Sequence, residues 1–512
     1  MTTLQTTNPW KVLQNGSDIR GVALEGVPGE NVNLTPAIAT TLGSAFATWL
    51  SHTLDVPLTG LSIAIGRDSR LSGPTLMAAV AAGMVRLGAT VYDVGLASTP
   101  AMFMSTITPG YQCDGAIMLT ASHLPFNRNG LKFFTAQGGL SKPDITALLD
   151  LAAAGQFAVS DRPGLIHHED FVSHYAQQLV DTIRIGVNHP THYDQPLQGL
   201  HIVVDAGNGA GGFFVDKVLQ PLGANTEGSQ FLDPDGTFPN HIPNPENADA
   251  MAAIRQAVLK HRADFGIIFD TDVDRAAAVD AAGNELNRNR LIALMAAIVL
   301  REHPGSTIVT DSITSDGLTQ FITQELQGIH HRFRRGYKNV INEAQRLNAA
   351  GQEAWLAIET SGHGAMRENH FLDDGAYLVS KLLIELAQAQ QAGQTLTDLI
   401  LSLQEPVESQ EFRIAIRTVD FKPYGTNVIQ HLHAFASSQP GWSVVPNNYE
   451  GVRIACQNPD EQGWCLLRLS LHDPVLPLNV EANVAGGVNR IRRQLFDCLQ
   501  KFDDLDLSPL QG

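Results

Sequence analysis

Residues 266–275 read GIIFDTDVDR, an apolar run that ends in three closely spaced aspartates. The first part, with its adjacent isoleucines, is typical of a short buried strand. Asp270, Asp272 and Asp274 then occupy alternate positions in the turn that follows. Three carboxylates this close concentrate negative charge that needs a cation, and hard oxygen ligands suit Mg²⁺. The stretch therefore predicts a strand that ends in a magnesium site, and a solvated acidic turn is the alternative interpretation.

The same order of apolar run, polar turn and helical pattern recurs along the chain. It is found after the runs at 61–66, 90–95, 115–120, 201–205, 307–311 and 355–359. Strands that alternate with helices in this way predict α/β sheets with parallel strands. Ligands of such sheets lie beyond the carboxyl ends of the strands, which is where these polar turns stand.

The last hundred residues show strands that follow one another more closely. Apolar runs at 411–417, 451–456, 464–470 and 478–484 predict strands, and helical patterns lie near 421–437 and 485–501. We expect an antiparallel sheet with helices packed against it, which is an α+β domain. At about 150 residues per domain, the whole chain is long enough for roughly three to four domains.

The composition is that of a folded acidic protein. With 34 Lys+Arg and 52 Asp+Glu the net charge is −18, and 44% of the residues are hydrophobic. The acidic balance argues against broad binding to nucleic acid or to an anionic membrane, since both need a positive field. The four cysteines show no metal or disulfide spacing, the start lacks a secretory pattern, and the longest apolar run, 291–300, is too short to span a bilayer. We expect a cytoplasmic protein.

Two further turns carry side chains suited to catalysis. TASHLP, residues 120–125, places a serine hydroxyl beside a histidine, with Lys132 downstream. Such a hydroxyl can be a nucleophile or carry a phosphoryl group when a base and cations are near, whereas capping is the simpler explanation. ETSGHG, residues 359–364, offers Glu and Ser to sugar hydroxyls and His363 for proton transfer, or it is a capped glycine turn.

A glycine-rich turn, DAGNGAGG at 205–212, follows the strand at 201–205. Gly207, Gly209 and Gly212 fit G-x-G-x-x-G, which predicts a dinucleotide site and hence an oxidoreductase. Asp205 and Ala206 separate the strand from the first glycine, unlike the usual fingerprint, and this favours a tight turn instead. In the last hundred residues, arginine and serine side chains near strand ends can hold a phosphate.

Taken together, these turns make the chain resemble the α-D-phosphohexomutase superfamily, which includes phosphoglucomutase and phosphomannomutase. The matching elements follow the family's order over nearly the whole chain. They are SDIRG (17–21), GRDSR (66–70), TASHLP (120–125) with NGLK (129–132), DAGNGAGG (205–212), DGTFPNHIPNPE (235–246), DTDVDR (270–275) and ETSGH (359–363). The resemblance implies an α/β fold of four domains around a central cleft, three mixed α/β domains and a C-terminal α+β domain. We place these domains at 1–160, 161–292, 293–404 and 405–512.

The resemblance also implies a role for each matching residue. Ser122 would carry the phosphoryl group and, with Asp270, Asp272 and Asp274, would hold Mg²⁺. The other catalytic residues would be Lys132, His123, His363 and Arg20. The substrate would contact Glu359, Ser361, Gly362, Arg275, Lys338, Arg468 and Ser470. Glucose 1,6-bisphosphate would prime Ser122 as an activator.

One element departs from the family pattern. The family loop R-x-S-(G or N)-T-(E or T)-P surrounds the phosphate that is not reacting, and here residues 468–474 read RLSLHDP. Arg468, Ser470 and Pro474 remain, while Leu471 and His472 replace the small and hydroxyl residues. The adjacent Asp473 would repel phosphate unless its charge is paired. The catalytic half of the site matches, and the distal phosphate grip is altered.

The resemblance implies a phosphohexomutase that converts hexose 1-phosphate to hexose 6-phosphate, glucose first and mannose second. A weaker distal grip also admits a glucose-1,6-bisphosphate synthase that takes phosphoryl from a donor such as fructose 1,6-bisphosphate. A sugar-phosphate sensor without catalysis is the alternative from another class. The expected partners are small sugar phosphates, with no nucleic acid and no membrane, for a monomer or small homo-oligomer.

Overall fold

The computed structural model describes residues 10–470 and 473–511, and its first part is built around a mixed sheet of eight strands. The strands are β1 (Gln14–Asn15), β2 (Asp18–Val22), β3 (Ser62–Arg67), β4 (Thr90–Leu96), β5 (Gly115–Leu119), β6 (Arg128–Thr135), β7 (Gly138–Gly139) and β8 (Ile166–His168). Their order is β1-β2-β6-β5-β3-β4-β8, with β7 beside β6. The central β3 is parallel to β4 and β5, as the sequence predicts. β6 is antiparallel to β5, because the chain turns back through residues 120–127.

Five helices accompany this sheet. They are α1 (Pro36–Leu54), α2 (Gly73–Val85), α3 (Thr99–Met104), α4 (Lys142–Ala154) and α5 (Phe171–Val187). Pro lies in the first turn of α2, where its missing N–H is not needed. α1 and α2 pack closely through glycines, since a Cβ on Gly43 would stand 2.2 Å from the carbonyl oxygen of Val80. Apolar side chains of α1, α2 and α4 are buried in one core with those of the sheet.

The second sheet contains the stretch that begins with GIIFD. Its strands are β9 (Ile202–Asp205), β10 (Phe265–Phe269), β11 (Ala276–Asp280) and β12 (Glu285–Leu286), in the order β12-β11-β10-β9, and α6 spans Ala248–His261. β10 is parallel to β9 and antiparallel to β11. All five residues of β10 are buried. The three aspartates therefore lie in the short connection between a central buried strand and its neighbour.

The chain then continues through four helices and five short strands. These are α7 (Arg288–Glu302), β13 (Thr307–Thr310), α8 (Asp316–Gln320), β14 (Ile329–Arg332), α9 (Tyr337–Ala349), β15 (Ala354–Ile358), β16 (Gly364–Met366), β17 (Leu372–Asp373) and α10 (Gly375–Gln391). β13 pairs in parallel with β14 and β15. The apolar run at 291–300 is the buried body of α7. Among the helices of the described residues, none is long and apolar enough to cross a bilayer.

The last hundred residues form the predicted antiparallel sheet. Its elements are β18 (Glu408–Ile416), α11 (Phe421–Ser438), β19 (Trp442–Val444), β20 (Val452–Cys456), β21 (Gly463–Leu467), β22 (Val475–Ala482), α12 (Gly487–Leu499) and β23 (Leu505–Asp506). The strand order is β19-β20-β21-β22-β18-β23. Both helices contribute to one core with the sheet. The predicted fold class, mixed α/β followed by α+β, is confirmed.

The chain divides into two compact units. The first contains the residues up to Asn287 together with Ser361–Ala365 and Leu372–Leu396. The second contains Arg288–Thr360, Met366–Phe371 and the residues from Thr397 onward. The first division falls at the start of α7, while the boundary expected after residue 292 lies inside that helix. The finer division into four domains stays a prediction.

Candidate active site

The first unit brings the three aspartates together in a buried turn. Asp270, Asp272 and Asp274 are 0%, 0% and 1% exposed, and one carboxylate oxygen of each lies within 4.8 Å of the others. Helix α3 supports the turn, because the Thr99 hydroxyl donates to Asp272 Oδ2 at 2.5 Å and its amide donates to the Asp272 carbonyl. Val273, between the carboxylates, has φ +65°, which is rare for a β-branched residue. Contacts from α3, outside the turn, therefore help to hold this strained backbone in place.

The electrostatics of this turn fit a cation. Burial, with repulsion from Asp274 and Asp272, raises the pKa of Asp270 well above its usual value. Burial also acts to raise the pKa of Asp274, but Lys132, His363 and Arg275 hold it below its usual range. Asp272 Oδ1 and Asp274 Oδ1 are buried, and neither accepts a hydrogen bond among the described residues. Two buried carboxylate oxygens without a donor are suited to bind a hard divalent ion.

Lys132 lies on β6 and reaches across to the second sheet. Its Nζ donates to Asp272 Oδ2 at 2.9 Å and to Asp274 Oδ2. The side chain is almost fully buried, so its ammonium depends on these carboxylates for compensation. The contact joins β6 of the first sheet to the acidic turn of the second.

Ser122 occupies the turn after β5 and faces the same carboxylates. Its Oγ donates to Asp270 Oδ2 at 3.0 Å and accepts from Arg275 Nη2 at 2.9 Å. Its φ of +50° is left-handed, a conformation that costs a non-glycine residue about 1–2 kcal/mol. The Ser122 amide donates to the Thr120 hydroxyl at 2.8 Å. The hydroxyl is therefore fixed between a guanidinium and an acidic cluster.

The pKa values of the two candidate histidines are shifted in opposite directions. Burial and the charges of Arg275 and Arg20 lower the pKa of His123 to about 3, and its Nδ1 accepts a hydrogen bond from Arg275 at 2.5 Å. Burial acts to lower the pKa of His363 too, but Asp373 and Asp274 raise it to about 9. His363 Nδ1 lies 2.5 Å from Asp373 Oδ2. The structure thus distinguishes a neutral acceptor at 123 from a carboxylate-oriented imidazole at 363.

Arg20 and the later residues of the ETSGHG turn, 361–364, also belong to this unit. Arg20 lies on β2 opposite Gly130 of β6, and its Nη2 is 3.1 Å from Asp18 Oδ2. Gly362 has φ +92° and its carbonyl accepts from the Ala276 amide, next to the acidic turn. Ser361 is buried beside it. A side chain at 362 would be 2.7 Å from the Ala276 carbonyl oxygen, so this approach requires glycine.

The second unit holds the remaining predicted substrate residues. Glu359 is buried and its Oε1 accepts from the Gly336 amide at 2.5 Å, while Lys338 is half-buried in the first turn of α9. Burial lowers the pKa of Arg468, which follows β21. The Ser470 hydroxyl accepts from the Asp473 amide at 3.3 Å. Leu471 and His472, where the sequence departs most from the family, lie outside the described residues.

The glycine-rich turn packs against the acidic turn. A Cβ on Gly209 would stand 2.6 Å from the Thr271 carbonyl oxygen, and one on Gly212 would stand 2.6 Å from that of Leu232. Asp205 Oδ1 accepts from the Gly207 amide and closes the bend. The close space beside Gly209 and Gly212 is therefore taken up by protein backbone. The tight-turn interpretation therefore agrees with the structure better than the dinucleotide site.

Some residues of the site had no role assigned from sequence. Asp373 orients His363, and Thr99 binds the second aspartate of the turn. The sequence showed Asp373 only as part of DDG, and Thr99 lies in the STP that begins α3. A hydroxyl beside a basic cluster and a metal-compatible acidic turn is an arrangement used by enzymes that transfer phosphoryl groups.

The comparisons with known proteins identify the family. Models described as phosphoglucomutase/phosphomannomutase α/β/α domains I, II and III match residues 11–157, 174–283 and 287–406. The chain is 31% identical over 437 residues to the phosphoglucomutase of Neisseria meningitidis serogroup A, covering 84% of this chain and 87% of the relative. It is 31% identical over 450 residues to the phosphomannomutase/phosphoglucomutase of Pseudomonas syringae pv. tomato, covering 87% and 89%.

A solved structure agrees with these sequence relatives. The phosphoglucomutase/phosphomannomutase family protein from Burkholderia thailandensis superposes with a TM-score of 0.76 at 27% identity, covering 97% of this chain and 98% of that one. The chain belongs to the phosphoglucomutase/phosphomannomutase family and is an enzyme of the phosphohexose mutase type. The resemblance seen in the sequence is confirmed.

Proposed function

We propose that this enzyme moves the phosphate of a hexose between C1 and C6 through phosphorylated Ser122 and a hexose 1,6-bisphosphate. The observation that carries the proposal is the position of Ser122 Oγ, 2.9 Å from Arg275 Nη2 and 3.0 Å from Asp270 Oδ2. Glucose is the first candidate sugar and mannose the second, because the relatives are named for both.

Residues of the first unit would carry out the transfer. Phospho-Ser122 gives its phosphoryl group to the free hydroxyl of the hexose monophosphate, and Lys132, Arg275 and Arg20 offset the charge of its oxygens. His363, held by Asp373, and His123 are the two candidates that carry the proton of the attacking hydroxyl to the departing Ser122 oxygen. When held by Asp270, Asp272, Asp274 and an oxygen of the phosphoserine, Mg²⁺ supplies positive charge that stabilises the departing phosphoryl group.

The second half-reaction would return a phosphoryl group to Ser122 after the bisphosphate turns end for end. Glu359, Ser361 and Gly362 would bind the sugar hydroxyls in both orientations. Lys338, Arg468 and Ser470 would hold the phosphate that is not reacting. Glucose 1,6-bisphosphate would prime unphosphorylated Ser122. We also propose a cytoplasmic monomer or small homo-oligomer that binds no nucleic acid.

The test is a phosphorus NMR time course. Purified protein with Mg²⁺, glucose 1-phosphate and a trace of glucose 1,6-bisphosphate should form glucose 6-phosphate at about 1 s⁻¹ or faster. Ser122→Ala should abolish turnover and leave no phosphoserine. Absence of conversion by the wild-type protein would contradict the proposal. Accumulation of glucose 1,6-bisphosphate from fructose 1,6-bisphosphate and glucose 6-phosphate would instead identify a bisphosphate synthase.

A further inference from the structure

Arg70 lies directly beneath the turn that carries Ser122. It belongs to the GRDSR turn that follows β3, and it is 0% exposed. Its guanidinium donates four hydrogen bonds to backbone carbonyl oxygens of one segment. The acceptors are those of Ser122 at 2.5 Å, Leu124 at 2.6 Å, Pro125 at 2.8 Å and Arg128 at 2.9 Å. We call residues 120–128 the phosphoserine loop.

The guanidinium is fixed on its other sides as well. Asp68, itself buried, has Oδ2 3.3 Å from Arg70 Nε, and its Oδ1 accepts from the Arg70 amide. The ring of Phe238 covers the guanidinium with its centroid 5.2 Å from Cζ. Gly236 lets the segment that carries Phe238 pack this close to the chain beside Arg70, because a Cβ at 236 would stand 2.5 Å from the Leu71 amide nitrogen. The donor is thus held in place by groups outside the phosphoserine loop.

The phosphoserine loop needs such a donor. It runs from the end of β5 to the first residue of β6 and contains a residue with left-handed backbone, Ser122 at φ +50°. Carbonyl groups that fold inward from such a loop need hydrogen-bond donors, and four of them converge on one planar guanidinium that is itself fully buried. Arginine presents five N–H groups in a rigid fork, whereas lysine offers a single point charge. Only arginine can join all four carbonyls in this geometry.

We propose that Arg70 is a positioning residue that holds the phosphoserine loop so that Ser122 Oγ meets Arg275 and Asp270. Arg70 acts through backbone carbonyls, and its side chain contacts neither of these partners of the hydroxyl in any described hydrogen bond. This proposal rests on the proposed function, because that function assigns a phosphorylated serine to the loop. Misplacing a reacting group by about 1 Å lowers the rate by about 10²-fold.

The experiment uses the full chain with Arg70→Lys, Arg70→Ala and the matched control Arg492→Ala. Arg492 is also buried and donates to a backbone carbonyl, that of Leu510, in the last sheet domain. We measure kcat and KM for glucose 1-phosphate, and amide hydrogen exchange of the peptide covering 120–128. Guanidinium chloride at low millimolar concentration is added to Arg70→Ala as the rescue probe.

Arg70→Lys should lower kcat about 10²-fold with KM little changed, and it should speed exchange in the phosphoserine loop alone. Guanidinium should restore part of the kcat and of the protection in Arg70→Ala, and Arg492→Ala should behave as the wild type. Wild-type kcat and exchange in Arg70→Lys would overturn the proposal, as would absence of rescue in a folded Arg70→Ala. If Arg70→Ala does not fold, Arg70→Lys decides alone.

Failure of the proposed function gives a different result. A wild-type protein without mutase activity would contradict that function, while loop exchange would still report on Arg70. Unchanged exchange in Arg70→Lys beside an active wild-type enzyme would contradict only the role of Arg70. Equal losses in Arg70→Lys and Arg492→Ala would show general destabilisation and would also overturn the proposal.

Discussion

Asp373 gives His363 its orientation, because Asp373 Oδ2 lies 2.5 Å from His363 Nδ1 and both groups are largely buried. A histidine that exchanges a proton with a substrate hydroxyl through its other nitrogen depends on such a partner for its orientation. We expect Asp373→Asn to lower kcat/KM by about 10²-fold or more, as loss of a positioned proton-transfer group does. Asp93→Asn is the control, since Asp93 faces the exposed His168 at 3.4 Å. Equal activity of the two variants would contradict the role of Asp373.

The acidic turn should couple Mg²⁺ to stability. Asp272 Oδ1 is buried and accepts no hydrogen bond among the described residues, so an added cation would satisfy it. Ligand at about 100 times its dissociation constant stabilises a protein by about 2.7 kcal/mol. The wild-type Tm should therefore rise with Mg²⁺, and Asp272→Asn should lose most of that rise. The control Asp161→Asn, at an exposed position, should keep the full rise in Tm. A wild-type Tm that Mg²⁺ does not change would contradict the prediction.

Single residues of the site could be predicted where their partners lie near in sequence or where the residues belong to a motif. The spacing of Asp270, Asp272 and Asp274 identifies them as one acidic cluster. Thr99 does not, because its partner Asp272 is 173 residues away. Such contacts depend on how two sheets meet, which no local pattern records.

At the scale of elements, α10 supports the acidic turn through its first residue. The Gly375 amide donates to the Val273 carbonyl at 3.1 Å, and Asp374 caps the helix while accepting from the Tyr175 hydroxyl of α5 at 2.6 Å. A Cβ on Gly375 would stand 2.7 Å from the carbonyl carbon of Arg275 and 3.0 Å from the Val273 oxygen. Both obstacles are backbone, so no side-chain rotation relieves them.

Gly375→Ala should therefore displace either the helix or the turn. We expect a loss of about 1–3 kcal/mol in the free energy of unfolding, typical of overpacking, together with a smaller Tm rise on adding Mg²⁺. Urea unfolding with and without Mg²⁺ measures both. Gly60→Ala is the control, because its Cβ would find its nearest neighbour at 3.4 Å. A Gly375→Ala protein with wild-type stability and Mg²⁺ response would refute the support role of α10.

Strand positions followed from the sequence more closely than strand directions. The run at 266–270 appears as β10 at Phe265–Phe269, and that at 115–120 as β5 at Gly115–Leu119. The antiparallel pairing of β6 and β11 with their neighbours was not predicted. Apolar runs show that a strand is buried, but the direction of its neighbour depends on the length and course of the connection.

At the scale of the whole molecule, an acidic chain holds a site whose charges are compensated locally. The net charge of −18 belongs to the chain, while Lys132 and Arg275 are buried against the aspartates. Composition argues against broad binding to polyanions, but it does not reveal these local basic groups. The division into two units, with residues 361–365 and 372–396 joining the first, also escaped the sequence, because it depends on packing between distant segments.

Stability of the whole chain should vary with pH through one buried carboxyl of the last sheet. Glu481 is 7% exposed, and its Oε2 accepts from Trp464 Nε1 at 2.9 Å. Burial raises the pKa of Glu481 to about 7, although the charge of Arg453 acts to lower it. Since the folded pKa exceeds the unfolded value, this group's stability contribution is complete below the unfolded pKa and is lost as pH rises through about 7.

Glu481→Gln tests this dependence because glutamine stays neutral and keeps an oxygen for Trp464. At about 1.4 kcal/mol per pKa unit, the wild type should lose up to about 3 kcal/mol more unfolding free energy than the variant between pH 4.5 and 7.5. Urea unfolding across that range measures the difference, and Glu481→Gln gives the background from the other titrating groups. Glu227→Gln, at an exposed turn, should follow the wild type. Parallel curves for wild type and Glu481→Gln would mean that the carboxyl ionises without cost, through solvent access or a closer pairing with Arg453.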